Sequence, residues 1–210
     1  MHHQRGITLP VTMLMLLAAL AIGASAAQMA MLGEKSARAE RDHLIAFQAA
    51  EDALMDAERD INAGLGQPIE APAPAPVTGS QHATGQPPDG HVQQSAVGGP
   101  GPAPAWQVVD LAGNGGTEYG ALTGAAMPVG QGSLPFRRPR YLVERVAYTP
   151  AGAPPAYYYR VTVMGFGPRP GTETVLQASY TEPTPVHRHS WREIMDWQSL
   201  HDAAGSGTEP

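Results

Sequence analysis

Between Gly6 and Gly33 no residue is charged, and Ile, Leu, Met, Val and Ala fill most of the 28 positions. At about 1.5 Å of rise per helical residue, some 20 apolar residues span the hydrocarbon core of a bilayer, so this stretch is long enough to cross one. Arg5 stands before it, while Glu34, Lys35, Arg38 and Glu40 follow. The positive-inside rule then keeps the short N-terminal flank in the cytoplasm and places the remainder beyond the inner membrane, in the periplasm.

Three processing schemes are open on these residues. Ala24-Ser25-Ala26 is a small-x-small site behind an apolar run, which suits signal peptidase and release of a secreted binding module after Ala26. Against that scheme, the apolar run continues past the site through Met29, Met31 and Leu32. Cleavage between Gly6 and Ile7 would instead keep the whole stretch on the mature protein. Without any cleavage the chain would be a permanent single-pass membrane protein.

Beyond the apolar segment (7–33), Leu44, Phe47, Ala50, Leu54, Ala57 and Ile61 are spaced by 3, 3, 4, 3 and 4, which places them along one helix face. They are the candidate residues for packing against a sheet or a neighbouring subunit. No Gly or Pro interrupts residues 34–63, and Gly64 suits a C-cap. The pattern predicts one helix of more than 50 residues, roughly 80 Å long. The carboxylates Glu51, Asp52, Asp56, Glu58 and Asp60 read as a solvated acidic face.

Residues 64–105 hold nine prolines and eight glycines and read as an extended linker. Trp106 to Leu111 restarts order as a strand, opening a sheet region (106–186). Its clearest strands are Tyr141 to Tyr148, Tyr157 to Phe166 and Glu173 to Thr181, with connections short enough for antiparallel neighbours. In the second of these, Tyr157, Tyr159, Val161 and Val163 share one face and Arg160 and Thr162 the other, so one side is covered and the other wetter. The long helix is the natural cover. Residues 187–210 read as a short helix and, from Ala203, a tail, with Ser190 and Glu193 at capping-box spacing. Trp191 and Trp197 are candidate partner contacts, being of the type enriched in binding hot spots.

Gln4-Arg5-Gly6 ahead of Ile7-Thr8-Leu9 resembles a prepilin leader (1–6), a short basic peptide ending in Gly before a retained apolar helix. Leu32 to Lys35, and above all Ala46 to Leu54, resemble the N-terminal region of PilX-type minor pilins of the type IV pilus. Pro139 to Glu144, Tyr159 to Thr162 and Val175 to Tyr180 are similar to the sheet region of the same family. The resemblance implies an α+β, pilin-like fold, a long N-terminal helix packed on a small antiparallel sheet. It implies prepilin peptidase as processing enzyme, cutting between Gly6 and Ile7, and other minor and major pilins as neighbours. A tip adhesin is the implied companion, and the lipid bilayer holds the subunit before assembly. In major pilins the fifth mature residue is a glutamate, taken to pair with the terminal amine of the subunit ahead. A chain starting at Ile7 has Val11 there, which points to the tip or initiating complex. A minor pseudopilin of type II secretion shares leader and helix and is the alternative of the same build.

Catalytic signatures are missing: the sequence has no Gly-x-Ser-x-Gly, no phosphate-cradling glycine loop and no His-Glu-x-x-His. The expectation is a protein that is not an enzyme and takes no cofactor. There is no cysteine for a thiolate site, and His187-Arg188-His189 reads as a solvated basic turn rather than a metal site. A net charge of -6 offers no footprint for nucleic acid.

Overall fold

The computed structural model describes residues 8–71, 103–148, 154 and 156–206. Gly6 and Ile7, most of the expected linker (72–102) and residues 207–210 lie outside the described residues. The chain divides into two compact units, Met1–Arg41 and Asp42–Pro210.

Helix α1 runs Thr8–Ala63, 56 residues. Pro10 falls in its first turn, where backbone N–H groups lack an intrahelical acceptor and a missing donor costs little. The far end closes on Gly64 at φ +61°. There Leu65 N–H reaches the Asp60 carbonyl and Gly64 N–H the Ile61 carbonyl, each at 3.2 Å, the paired bonds of a Schellman cap. In the first unit every side chain from 9 to 41 is exposed.

In the second unit, α1 residues 42–63 cover one face of a six-stranded sheet ordered β1-β3-β4-β5-β6, with β2 also paired to β3. Strands β3 (Arg140–Tyr148), β4 (Ala156–Phe166), β5 (Glu173–Thr181) and β6 (His187–Glu193) form an antiparallel meander. The sheet is mixed, because β1 (Ile69–Ala71) joins β3 in parallel. A parallel neighbour needs a long crossover, which the chain from 72 to 139 supplies. Thus β1 lies inside the stretch expected as linker. Strand β2 (Thr117–Glu118) pairs antiparallel with the start of β3.

The buried helix stripe is rotated from the expected one. Ala46, Ala49, Ala50, Ala53, Leu54 and Ala57 are buried, Phe47 and Ile61 are half-buried, and Leu44 is 49% exposed. The reason lies on β4. A Cβ placed on Gly165 would stand 2.8 Å from the Ala50 Cβ and closer still to the Ala46 carbonyl. A helix this close to the sheet admits only small side chains along its contact line, and the larger apolar residues move to the flanks.

The second sheet face, expected to be wetter, is covered in part. Leu142, Met164, Phe166 and Val175 pack there against Trp106, Leu111, Ile194 and Trp197. Trp106 lies in a short helix, α2 (Ala105–Val108), where a strand was expected. Likewise residues 187–193 are a strand, so Ser190 caps no helix: its hydroxyl meets that of Ser179 at 2.7 Å. His187-Arg188-His189 is therefore part of β6 and not a turn. Helix α3 (Trp197–Ser206) follows, running through Ala203, where a tail was expected. It is fastened to α2 by Trp197 Nε1–H on the Trp106 carbonyl at 3.1 Å and by His201 Nδ1 beside the Gln107 carbonyl at 2.6 Å.

Candidate assembly surfaces

The first surface is the helix of the first unit. Leu9, Met13, Leu14, Met15, Leu16, Leu17 and Ile22 are each more than 60% exposed, and α1 is long and apolar enough to cross a membrane. Such a continuous apolar surface is unfavourable in water and needs lipid or neighbouring helices around it. Val11, 46% exposed, lies on it. Its side chain brings neither charge nor hydrogen-bond donor to a neighbour.

The second surface lies where α1 meets β6. Phe47 and Trp191 pack edge to face with ring centroids 5.8 Å apart, and Trp191 keeps 49% of its surface exposed. Arg188 Nη1–H donates to Glu51 Oε2 at 3.2 Å, and His43 Nε2 lies 3.8 Å from Glu193 Oε1. Trp197 does not belong here. It is 3% exposed, stacks on His201 at 4.8 Å and fills the second core, so it is a packing residue rather than a partner contact.

Sequence reasoning missed a set of buried carboxylates. Asp56 is fully buried and Asp60 is 4% exposed, although both were read as solvated. Asp56 accepts from Gly120 N–H at 2.8 Å and from the Thr123 hydroxyl. Asp60 accepts from Gly66 N–H at 2.6 Å and from Tyr141 Oη–H at 3.1 Å. Together they tie the chain around 66 and the turn 119–125 to the last turns of α1. The signal was present but indirect. Asp42, Asp56 and Asp60 share the helix face of Ala46, Ala49 and Ala53, and Gly120 takes φ +76°, a backbone shape that favours glycine and aims its N–H inward.

Burial also governs the tyrosines of this unit. Tyr119, Tyr141, Tyr158, Tyr159 and Tyr180 all hold their protons above the ordinary value of 10.0, chiefly because burial disfavours the phenolate. For Tyr141 the adjacent Asp60 carboxylate adds to the effect. The folded state therefore binds these protons more tightly than the unfolded one. Their stabilising effect is present below about pH 10 and is lost as pH rises through the raised values. Urea-unfolding midpoints are expected to fall steadily above about pH 10, together with rising tyrosinate absorbance. Tyr141→Phe should flatten that fall; an unchanged slope would show that Tyr141 titrates normally.

Two family models match the chain: the PilX N-terminal model over residues 5–54, and the type IV pilus assembly protein PilX C-terminal model over 71–182. The chain belongs to the PilX family. Comparisons with curated proteins and with solved structures return no match. A PilX protein acts in type IV pilus assembly together with other pilus components. The long apolar helix of this PilX chain fits a single membrane anchor. The N-terminal match ends at residue 54, within the buried alanine stripe, and the C-terminal match covers β3, β4 and β5.

Proposed function

We propose that this PilX chain is a minor pilin of the tip or initiating complex, positioned there because it lacks a buried acid in its assembly segment. The supporting observation is Val11, the fifth residue of a mature chain beginning at Ile7. A carboxylate in that apolar zone costs about 2.5–3.5 kcal/mol on insertion scales unless partnered. A shaft subunit meets that cost by pairing forward with a terminal amine. This subunit has no such requirement, and no acidic residue stands anywhere between Gly6 and Gly33. Its own amine remains able to receive the glutamate of the subunit behind.

In this reading prepilin peptidase cuts between Gly6 and Ile7 at the cytoplasmic face of the inner membrane. The helix then waits in the bilayer with the rest of the chain in the periplasm. A tip adhesin is the companion at the free end, and the protein works by assembly rather than by catalysis. Labelling on sheared pili is expected to mark ends, with few copies per fibre, and deletion should lower the number of fibres initiated. Dense labelling along the shaft would defeat the tip assignment. Mature protein that begins at Ala27 would defeat the pilin processing scheme altogether.

A further inference from the structure

On the sheet face away from α1, polar side chains bond to one another across four strands. Glu144 on β3 is fully buried and accepts from Arg160 Nε–H at 2.8 Å and Nη2–H at 3.0 Å on β4. Gln177 on β5 donates its amide to Thr162 Oγ1 at 2.9 Å and accepts from Arg192 Nη2–H on β6 at 3.0 Å. Between these two rows the surface is hollow, walled by Tyr158, Arg160, Ser179, Ser190 and Arg192.

Arg160 is neutralised by the bidentate Glu144. Arg192 has no carboxylate within ion-pair distance among the described residues. Burial is the main influence against its charge, the Arg160 charge is the second, and Asp196 opposes both. Among the described residues its guanidinium makes one hydrogen bond, to Gln177, out of five N–H donors. The hydroxyls of Ser179 and Ser190 share one hydrogen bond, which leaves a second hydroxyl proton to point elsewhere. The hollow thus offers a positive charge without a carboxylate in ion-pair contact among the described residues, spare guanidinium donors and a spare hydroxyl donor.

We propose that this hollow binds a single carboxylate, and that its occupant in the pilus is an acidic side chain of a neighbouring subunit. A carboxylate is flat, carries one charge and accepts two parallel N–H donors from one guanidinium. A phosphate would bring nearly two charges to a site that balances one. The choice of occupant rests on the subunit's place among other pilins. The carboxylate site itself does not.

The Trp191 indole packs on Phe47 at the opposite face of β6, so occupancy of the hollow is read by calorimetry on the full chain in neutral detergent. Titration with N-acetylglutamate amide at constant ionic strength is expected to give a saturable heat. Arg192→Gln should weaken it about tenfold or more, and Arg192→Lys should retain part of it. The neutral N-acetylglutamine amide should have no effect. A response that does not saturate, that survives Arg192→Gln undiminished, or that inorganic phosphate produces as readily overturns the carboxylate site. A photo-crosslinker at Ser190 in pilus-forming cells tests the occupant separately. Adducts to an acidic segment of another pilin support it, and their absence while N-acetylglutamate amide still binds overturns the occupant alone.

Discussion

Gly165→Val is expected to cost about 3 kcal/mol or more, at or above the top of the usual range for overpacking a core. The added carbons meet helix backbone as well as the Ala50 methyl, 2.8 Å from the very first of them. Backbone cannot rotate away as a side chain can, so α1 must lift from β4 and open the first core along its length. A loss of that size is a large part of the 5–15 kcal/mol by which a domain is ordinarily stable. Urea-unfolding midpoints should show it directly, and pilus number should fall with the protein level. Gly33→Ala is the control, since a Cβ there meets nothing within 4 Å. If Gly165→Val unfolds like the parent, the helix does not lie where the alanine stripe puts it.

Arg160→Ala is the second large expected loss, about 3–5 kcal/mol, because it leaves Glu144 buried and charged without its partner. The reverse change, Glu144→Ala, strands a guanidinium that is itself only 15% exposed. The pair as a whole is a different matter. Replacing both residues with methionine is expected to recover most of the loss, since an ion pair and a well-packed apolar pair differ little in net stability. Unfolding midpoints of Arg160→Met, Glu144→Met and the double methionine variant form the cycle that measures this. A single-variant loss below about 1 kcal/mol would mean that water reaches Glu144.

Periodicity and turn chemistry made α1, β3, β4 and β5 legible, because each carries a long, regular apolar pattern ended by glycine or proline. Legibility failed where a contact depends on closeness rather than on apolar bulk. Phe47 and Leu44 attracted attention by size, yet the line of closest approach is alanine, fixed by a glycine more than a hundred residues later. The aspartates failed for the related reason that Gly120, Thr123 and Tyr141, which donate to them, lie more than sixty residues away, where no local pattern announces them. The segment His187–Glu193 carries a capping spacing that fits a helix, but pairing with β5 prevails. Trp197 looked like a binding knob only because its hidden partner, the carbonyl of Trp106, lies 91 residues away.

The alanine stripe also bears on how the chain is made. In sequence, 119 residues separate Ala46 from Gly165. At about 5–20 residues per second of synthesis, the helix waits roughly 6–24 s before the strand that covers it has emerged. During that interval its future contact face is open to every other unfinished chain nearby. A face of leucine or phenylalanine would be adhesive, each side chain worth about 1.5–3 kcal/mol on burial. A face of methyl groups offers far less to a wrong partner. The small residues that let helix and sheet meet so closely in the finished subunit thereby also keep the unfinished one from joining something else first.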